Sequence, residues 1–178
     1  MSTLFLIIKP LLLKPYSFFR GILRKFYTLK IKITVGKYGN NLTVNYPCHI
    51  GNNVFLGDNV NFNGIDISSG GNVIIGNNFH SGKNIQIIVE YHNYEGEKIP
   101  YDETYINKNV IIEDNVWLGN NVIILGGVTI SEGAIIQAGS VVSMNIPKYA
   151  VAGGNPAKPF MYRDKNHYEE LKEKKLFL

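Results

Sequence analysis

His92 opens the stretch of this chain best suited to chemistry. It is followed by Asn93 to Tyr105 (NYEGEKIPYDETY), thirteen residues that are polar, acidic and aromatic. An imidazole titrates near neutrality, so such a histidine can take a proton from a hydroxyl and return one to a leaving group. The residue types alone leave a solvent-facing corner histidine as an equal reading. Glu90, Asp102 and Glu103 are the carboxylates near enough in sequence to orient the ring, and a backbone carbonyl would serve as well. Cys48-His49 sets a thiol beside a base. Cys48 is the lone cysteine, which excludes an intramolecular disulfide and gives no sign of secretion. Its place in the surrounding pattern favours a small core filler over a nucleophile.

The elements that must position these side chains follow a period of six. From Ile106 the chain reads INKNVI, IEDNVW, LGNNVI, ILGGVT, ISEGAI, IQAGSV. An earlier series starts at Tyr38, Val44, Ile50, Leu56 and Phe62, then continues from Ser69 through Ile75, Ser81 and Ile87. Such a repeat predicts a parallel β-helix: one short strand and one corner per hexad, three hexads per triangular coil. Residues eighteen apart then stack at about 4.8 Å. Sixteen hexads, the last starting at Val142, predict an all-β fold of about five coils around one core. Gly, Asn and Asp fill the corners, where left-handed backbone is needed. A β-sandwich would instead alternate, with turns every 8–12 residues or so.

Two interruptions break the count. Phe62 to Ser69 spans seven residues, which predicts one inserted residue at a bulge or widened corner. Ile87 to Ile106 spans nineteen, one hexad plus the ejected loop 93–105. A regular solenoid has no need of such a loop, which points to function. By hexad count Asn61 and His80 share one face on successive coils, His92 falls on another, and His49 shares the third with Trp117. The four histidines then cannot gather around one metal within a subunit.

Length and composition fit one domain able to bury a core, with 178 residues of which 45% are hydrophobic. Eight basic residues, Lys9 to Lys37, precede the first acidic one, Asp58, so that segment is +8 and the rest −4. Residues 1–33 also hold LFLII, LLL and SFF runs, interrupted at Lys9-Pro10 and Lys14-Pro15 short of the roughly 20 residues a membrane span needs. A signal peptide is not expected, since no basic residue precedes the apolar stretch and no small-residue cleavage site follows it. The segment reads as a helix over one open end of the β-helix, or as a basic amphipathic surface touching the inner membrane leaflet or a lipid-linked substrate. Nucleic acid is not an expected partner, because no recognised motif accompanies the charge. The expected organisation is 1–33, then the β-helix over 34–147, then a tail over 148–178. In that tail Asp164 caps a short helix, with Tyr168 and Leu171 on one face, over the other end.

The hexads resemble the left-handed β-helix acyltransferases, in the branch of galactoside, maltose, xenobiotic and surface-polysaccharide acetyltransferases. The resemblance runs from about Tyr38 to Lys165 and is most specific over VIIEDNVWLGNNVIILGGVTISEGAIIQAGSVVSMNIPKYAVAGGNPAK. It implies a left-handed coil, homotrimers with active sites between subunits, and acetyl-CoA as donor with no metal. The histidine spacings also do not match the three-histidine zinc pattern of the β-helical carbonic anhydrases. His92, 25 positions before Trp117, matches the family's catalytic histidine. Asn61 aligns with an acceptor-sugar contact, with a plain corner asparagine as an equal reading; His80 matches nothing general in the family, and it and Tyr91 are expected to line the acceptor pocket. Trp117, Asn120, Ala138, Ser143 and Lys158 match coenzyme A contacts, with Asn120 and Ala138 expected on successive coils of the His92 face. Met144 and Met161 stand where relatives carry basic residues, which turns attention to Lys148, Arg163 and Lys165 for the phosphates. The resemblance thus implies a cytoplasmic O-acetyltransferase acting on a sugar hydroxyl of a bacterial surface glycan or its precursor, with possible peripheral contact to the inner membrane. N-acetylation of an amino sugar nucleotide and a non-catalytic scaffold are the alternatives, and an intact His92, Trp117 and AGSVV set disfavours the scaffold.

Overall fold

The computed structural model describes the backbone of residues 3–178 and the side chains of residues 18–178. The basic and apolar side chains before Phe18, including Lys9-Pro10 and Lys14-Pro15, lie outside the described residues.

The period of six becomes three parallel sheets around one core. The first stacks Val54–Leu56, Val73–Ile75, Val110–Ile112 and Thr129–Ile130. The second stacks Thr43–Val44, Asn61–Phe62, His80–Ser81, Trp117–Leu118, Ile135–Ile136 and Ala150–Gly153, and Lys158–Tyr162 adds an antiparallel edge. The third stacks Ile65–Ile67, Ile85–Ile88, Ile123–Leu125 and Val141–Val142. The chain visits first, second and third sheet in turn, so the molecule is a parallel β-helix of triangular section.

Both residue types of the hexad explain this winding. Ile75, Ile112 and Ile130 stack inside the first sheet, and Phe62, Ser81, Leu118 and Ile136 inside the second, all at 1% exposure or less. At the corners Asn59, Asn78 and Asn115 hold φ of 57°, 54° and 60°. Their amides form a ladder, Asn59 donating to Asn78 at 3.1 Å and Asn78 to Asn115 at 2.9 Å. A buried Ile contributes roughly 1.5–3 kcal/mol, against about 1 kcal/mol net for one such hydrogen bond. The aliphatic stack therefore holds the coils together, and the asparagines decide where they turn.

Three expectations are corrected. Ser69 does not begin a coil strand: Ile67 points inward and Ser69 is exposed. The corner at Asn63-Gly64 is one residue short, and the corner at Ser68–Asn72 is correspondingly wide. Ile106 is not in the coil either. It pairs with Tyr91 in a hairpin of Glu90–His92 with Tyr105–Asn107, and the coil resumes at Val110. One hexad fewer lies between Ile87 and Trp117 than the count assumed. Trp117 therefore aligns with His80 on the second sheet, whereas His49 bridges to Asp66 beside the third.

Helix α1 (Thr3–Thr34) closes the N-terminal end. Ile31 and Val35 enter the core, and Thr28 Oγ1 accepts the Val44 amide at 3.1 Å. At the other end Ile146, Ala150, Ala152 and Ala157 are fully buried. Helix α2 (Lys165–Glu173) is capped by Asp164, which accepts from the His167 amide at 3.0 Å. It lies along a prism edge rather than over the open end, because its buried Tyr168 bonds Asn115 at 2.7 Å and Glu132 at 3.1 Å.

Candidate active site

The hairpin that carries His92 leaves the prism at the edge between the third and first sheets. Tyr91 pins its base: the hydroxyl donates to the Ile88 carbonyl at 3.0 Å and accepts the Gly126 amide at 2.5 Å. Tyr91 was expected to touch the acceptor, yet its polar atom is spent on backbone. Asp102 braces the tip, accepting from Thr104 Oγ1 at 2.5 Å and the Glu97 amide at 3.1 Å. Those bonds, the Thr104 hydroxyl first, hold its carboxyl below the usual range. Glu103 pairs with Lys98, and Glu90 accepts from Ser69 at 3.4 Å.

Each carboxylate considered as an orienter of His92 thus has another partner. The imidazole is held by aromatic rings instead. It stacks on Tyr101 at 3.9 Å between centroids and 12° between planes, and Tyr105 flanks it at 4.9 Å and 34°. The sequence reading missed both tyrosines; the aromatic content of an ejected loop was the signal for them.

On the second sheet Asn61, His80 and Trp117 align on consecutive strands. Trp117 lies half exposed on that face, at 51%. The Asn61 side-chain Oδ1 accepts from Asn45 Nδ2 at 3.3 Å and Asn63 Nδ2 at 3.4 Å. A cavity of about 410 Å3 opens beside them, lined by Asn61, His80, Asn115, Tyr168 and the tail residue Phe177.

Lys83, Asn120 and Ala138 stack at the corner between the second and third sheets. The Gly139 amide donates to Asn120 O at 2.8 Å, and a Cβ on Gly119 would lie 2.5 Å from Ala138 N. This is the corner after Trp117, not the edge that carries His92, because Trp117 itself moved by one face. Coils approach closely here, and Gly119, Ala138 and Gly139 keep the later coils of this corner low in side chains. Ser143 lies exposed at the edge that the hairpin leaves, and Lys158 on the antiparallel strand after Gly153. Of the alternative phosphate contacts, Lys148 is engaged by Glu132 at 3.0 Å and lies over Tyr149, and those two hold its ammonium above the usual range. Arg163 covers the Tyr168 ring at 4.7 Å. Lys165 is exposed at the first turn of α2.

Cys48 and His49 point apart. Cys48 lies in the core, where burial pushes its thiol up to about 11, and His49 faces Asp66 at 3.9 Å outside. They make no nucleophile–base pair.

In a three-sided prism the edge between the third and first sheets is opposite the second sheet. His92 and Trp117 therefore sit on opposite sides of one chain. A parallel β-helix wound on a six-residue repeat points to the class of hexapeptide-repeat transferases. A family profile described as "Bacterial transferase hexapeptide (six repeats)" matches residues 109–143. Among solved structures, a hexapeptide-repeat acetyltransferase of Vibrio cholerae is similar at 30% identity and TM-score 0.66, over 75% of this chain and 77% of that one. A second structure of that protein is complexed with acetyl-coenzyme A. A galactoside acetyltransferase in complex with coenzyme A is similar at 30% identity and TM-score 0.66, over 78% of this chain and 70% of that one. A maltose O-acetyltransferase of Clostridium difficile is similar at 29% identity and TM-score 0.61, over 76% and 73%. No curated protein sequence matches significantly. The chain belongs to the hexapeptide-repeat acetyltransferases.

Proposed function

We propose that this protein moves an acetyl group from acetyl-coenzyme A to a sugar hydroxyl on a bacterial surface glycan or its precursor. The observation that carries the reading is His92, stacked on Tyr101 and flanked by Tyr105 on a hairpin that points away from Trp117's sheet. His92 takes the hydroxyl proton as the sugar oxygen attacks the thioester carbonyl. Backbone amides steady the tetrahedral oxyanion. The C–S bond then breaks, and the imidazolium returns its proton to the departing thiolate. The corner at Asn120 and Ala138 gives the extended pantetheine arm an edge to follow, with Trp117 and Lys158 as further contacts from the same sheet and Ser143, at the His92 edge, supplied by a neighbouring copy. Asn61 and His80, beside the cavity of about 410 Å3, receive the acceptor.

A neighbouring copy completes the site, since one chain holds His92 and Trp117 on opposite sides. The outward residues Phe55, Ile74 and Ile111, aligned on the first sheet, form an exposed apolar ridge suited to a homotrimer contact. The coil is left-handed, as the family resemblance implies, with about five turns from the hexad count. Acetyl-coenzyme A as donor places the reaction in the cytoplasm.

The test is release of free CoA by the purified protein with acetyl-coenzyme A and a panel of glycans. His92→Ala should abolish release while oligomer size and fold persist; unchanged turnover would remove His92 from the reaction. Turnover with amino sugar nucleotides alone would make this an N-acetyltransferase. Absence of any acetyl-coenzyme A affinity in calorimetry would leave a scaffold.

A further inference from the structure

Helix α1 carries more than an end cap. Tyr27, Thr28 and Ile31 turn one side of it to the β-helix. On the other side Phe18, Ile22, Phe26, Leu29 and Ile33 recur at spacings of four, four, three and four. At about 100° per residue they fall within one arc of roughly 100°. They are exposed, Phe18 at 67%, Phe26 at 60% and Ile33 at 76%. This stripe spans about 24 Å of helix, and none of its residues belongs to the buried core.

The margins of the stripe identify its occupant. Lys25 and Lys32 border it on one side and Lys30 on the other, all exposed; Lys32 also lies 5.4 Å from the Tyr38 ring centre. No acidic residue precedes Asp58. Packing this stripe against the same stripe of a second copy would bring lysine margins together with no carboxylate between them. An anionic lipid surface supplies both missing components, acyl chains for the phenylalanines and leucine and phosphates for the lysines. Among the described residues no helix is long and apolar enough to cross a membrane, which fits a helix lying in the interface plane.

We infer that residues 18–33 of α1 form a docking surface for an anionic phospholipid bilayer. This surface holds the protein at the membrane independently of acetyl transfer.

Flotation of the full chain tests this with phosphatidylcholine vesicles, with and without one third phosphatidylglycerol. The expected result is binding to the anionic vesicles only, weakened by added salt. Lys25→Gln with Lys30→Gln should reduce binding about thirtyfold, from about 1 kcal/mol for each lysine at the surface. Phe18→Ser with Phe26→Ser should abolish it while circular dichroism and thermal unfolding stay unchanged. Equal binding to neutral vesicles, or binding that survives both double variants, overturns the proposal. It is also overturned if the phenylalanine variant lowers the oligomer mass in light scattering while the unaltered chain ignores vesicles, because the stripe then packs on another copy.

Discussion

Stacking, not a carboxylate, restrains His92, and the strength of that restraint limits what its loss can do. An aromatic pair contributes about 0.5–1.5 kcal/mol beyond its area. Tyr101→Ala should therefore lower kcat by about two- to tenfold with KM little changed, whereas Tyr101→Phe should keep full rate. Steady-state CoA release separates the two. If Tyr101→Phe fell as far as Tyr101→Ala, the hydroxyl and not the ring face would be the working part. Cys48 gives a second residue-scale expectation. Its folded pKa of about 11 exceeds the ordinary 9.0, so the native side chain stays a neutral thiol at mildly alkaline pH. Iodoacetamide should label it only after unfolding. Unfolded chains lose that proton first, so Cys48's contribution is whole below pH about 9 and is lost as pH rises through about 11.

Helix α2 and the corner beneath it depend on Glu132. Burial works against its charge, but Lys172, Lys148 and Tyr168 all donate to it and hold its carboxyl below the usual range. A depressed carboxylate pKa means stability present above the ordinary range, near pH 4.3 or so, and lost as pH falls through the folded value. Glu132→Gln should cost about 1–2 kcal/mol at neutral pH, allowing for partial solvent screening. Thermal melts at neutral and acidic pH check this, because the gap between variant and parent should close in acid. A gap that widened in acid would mean that Glu132 is not ionised in the native state.

For the whole molecule the central expectation is a site shared between copies. Neither His92→Ala nor Trp117→Ala should transfer acetyl groups at a useful rate alone. Unfolding, mixing and refolding the two together should recover part of the activity, because some interfaces then pair an intact His92 with an intact Trp117. No recovery, with mixed oligomers demonstrated by mass spectrometry of tagged subunits, would place both residues in one chain's site.

How much of this was legible beforehand differs from residue to residue. The inward Ile, Leu and Val and the corner asparagines were readable because a solenoid repeats one local environment, so each hexad states its own constraint. Asp164 was readable for the same reason, since capping needs only the next three residues. The excursion was legible as an event but not in its length. Ile106 looks like a hexad start, yet its hairpin partner Tyr91 takes it out of the coil, and a strand pairing chosen across fourteen intervening residues leaves no periodic trace. That single miscount rotated Trp117 by one face.

By itself the chain's periodicity determined the β-helix, its core and the histidine at the root of the loop, because those depend on spacing along the chain. Tertiary structure decided which side chains meet. It set Tyr101 against His92, gave Asp102 to Thr104 rather than to the imidazole, put Trp117 beside His80, and turned α1's apolar stripe outward. Those pairings depend on how segments far apart in sequence come to lie side by side, and only packing resolves them.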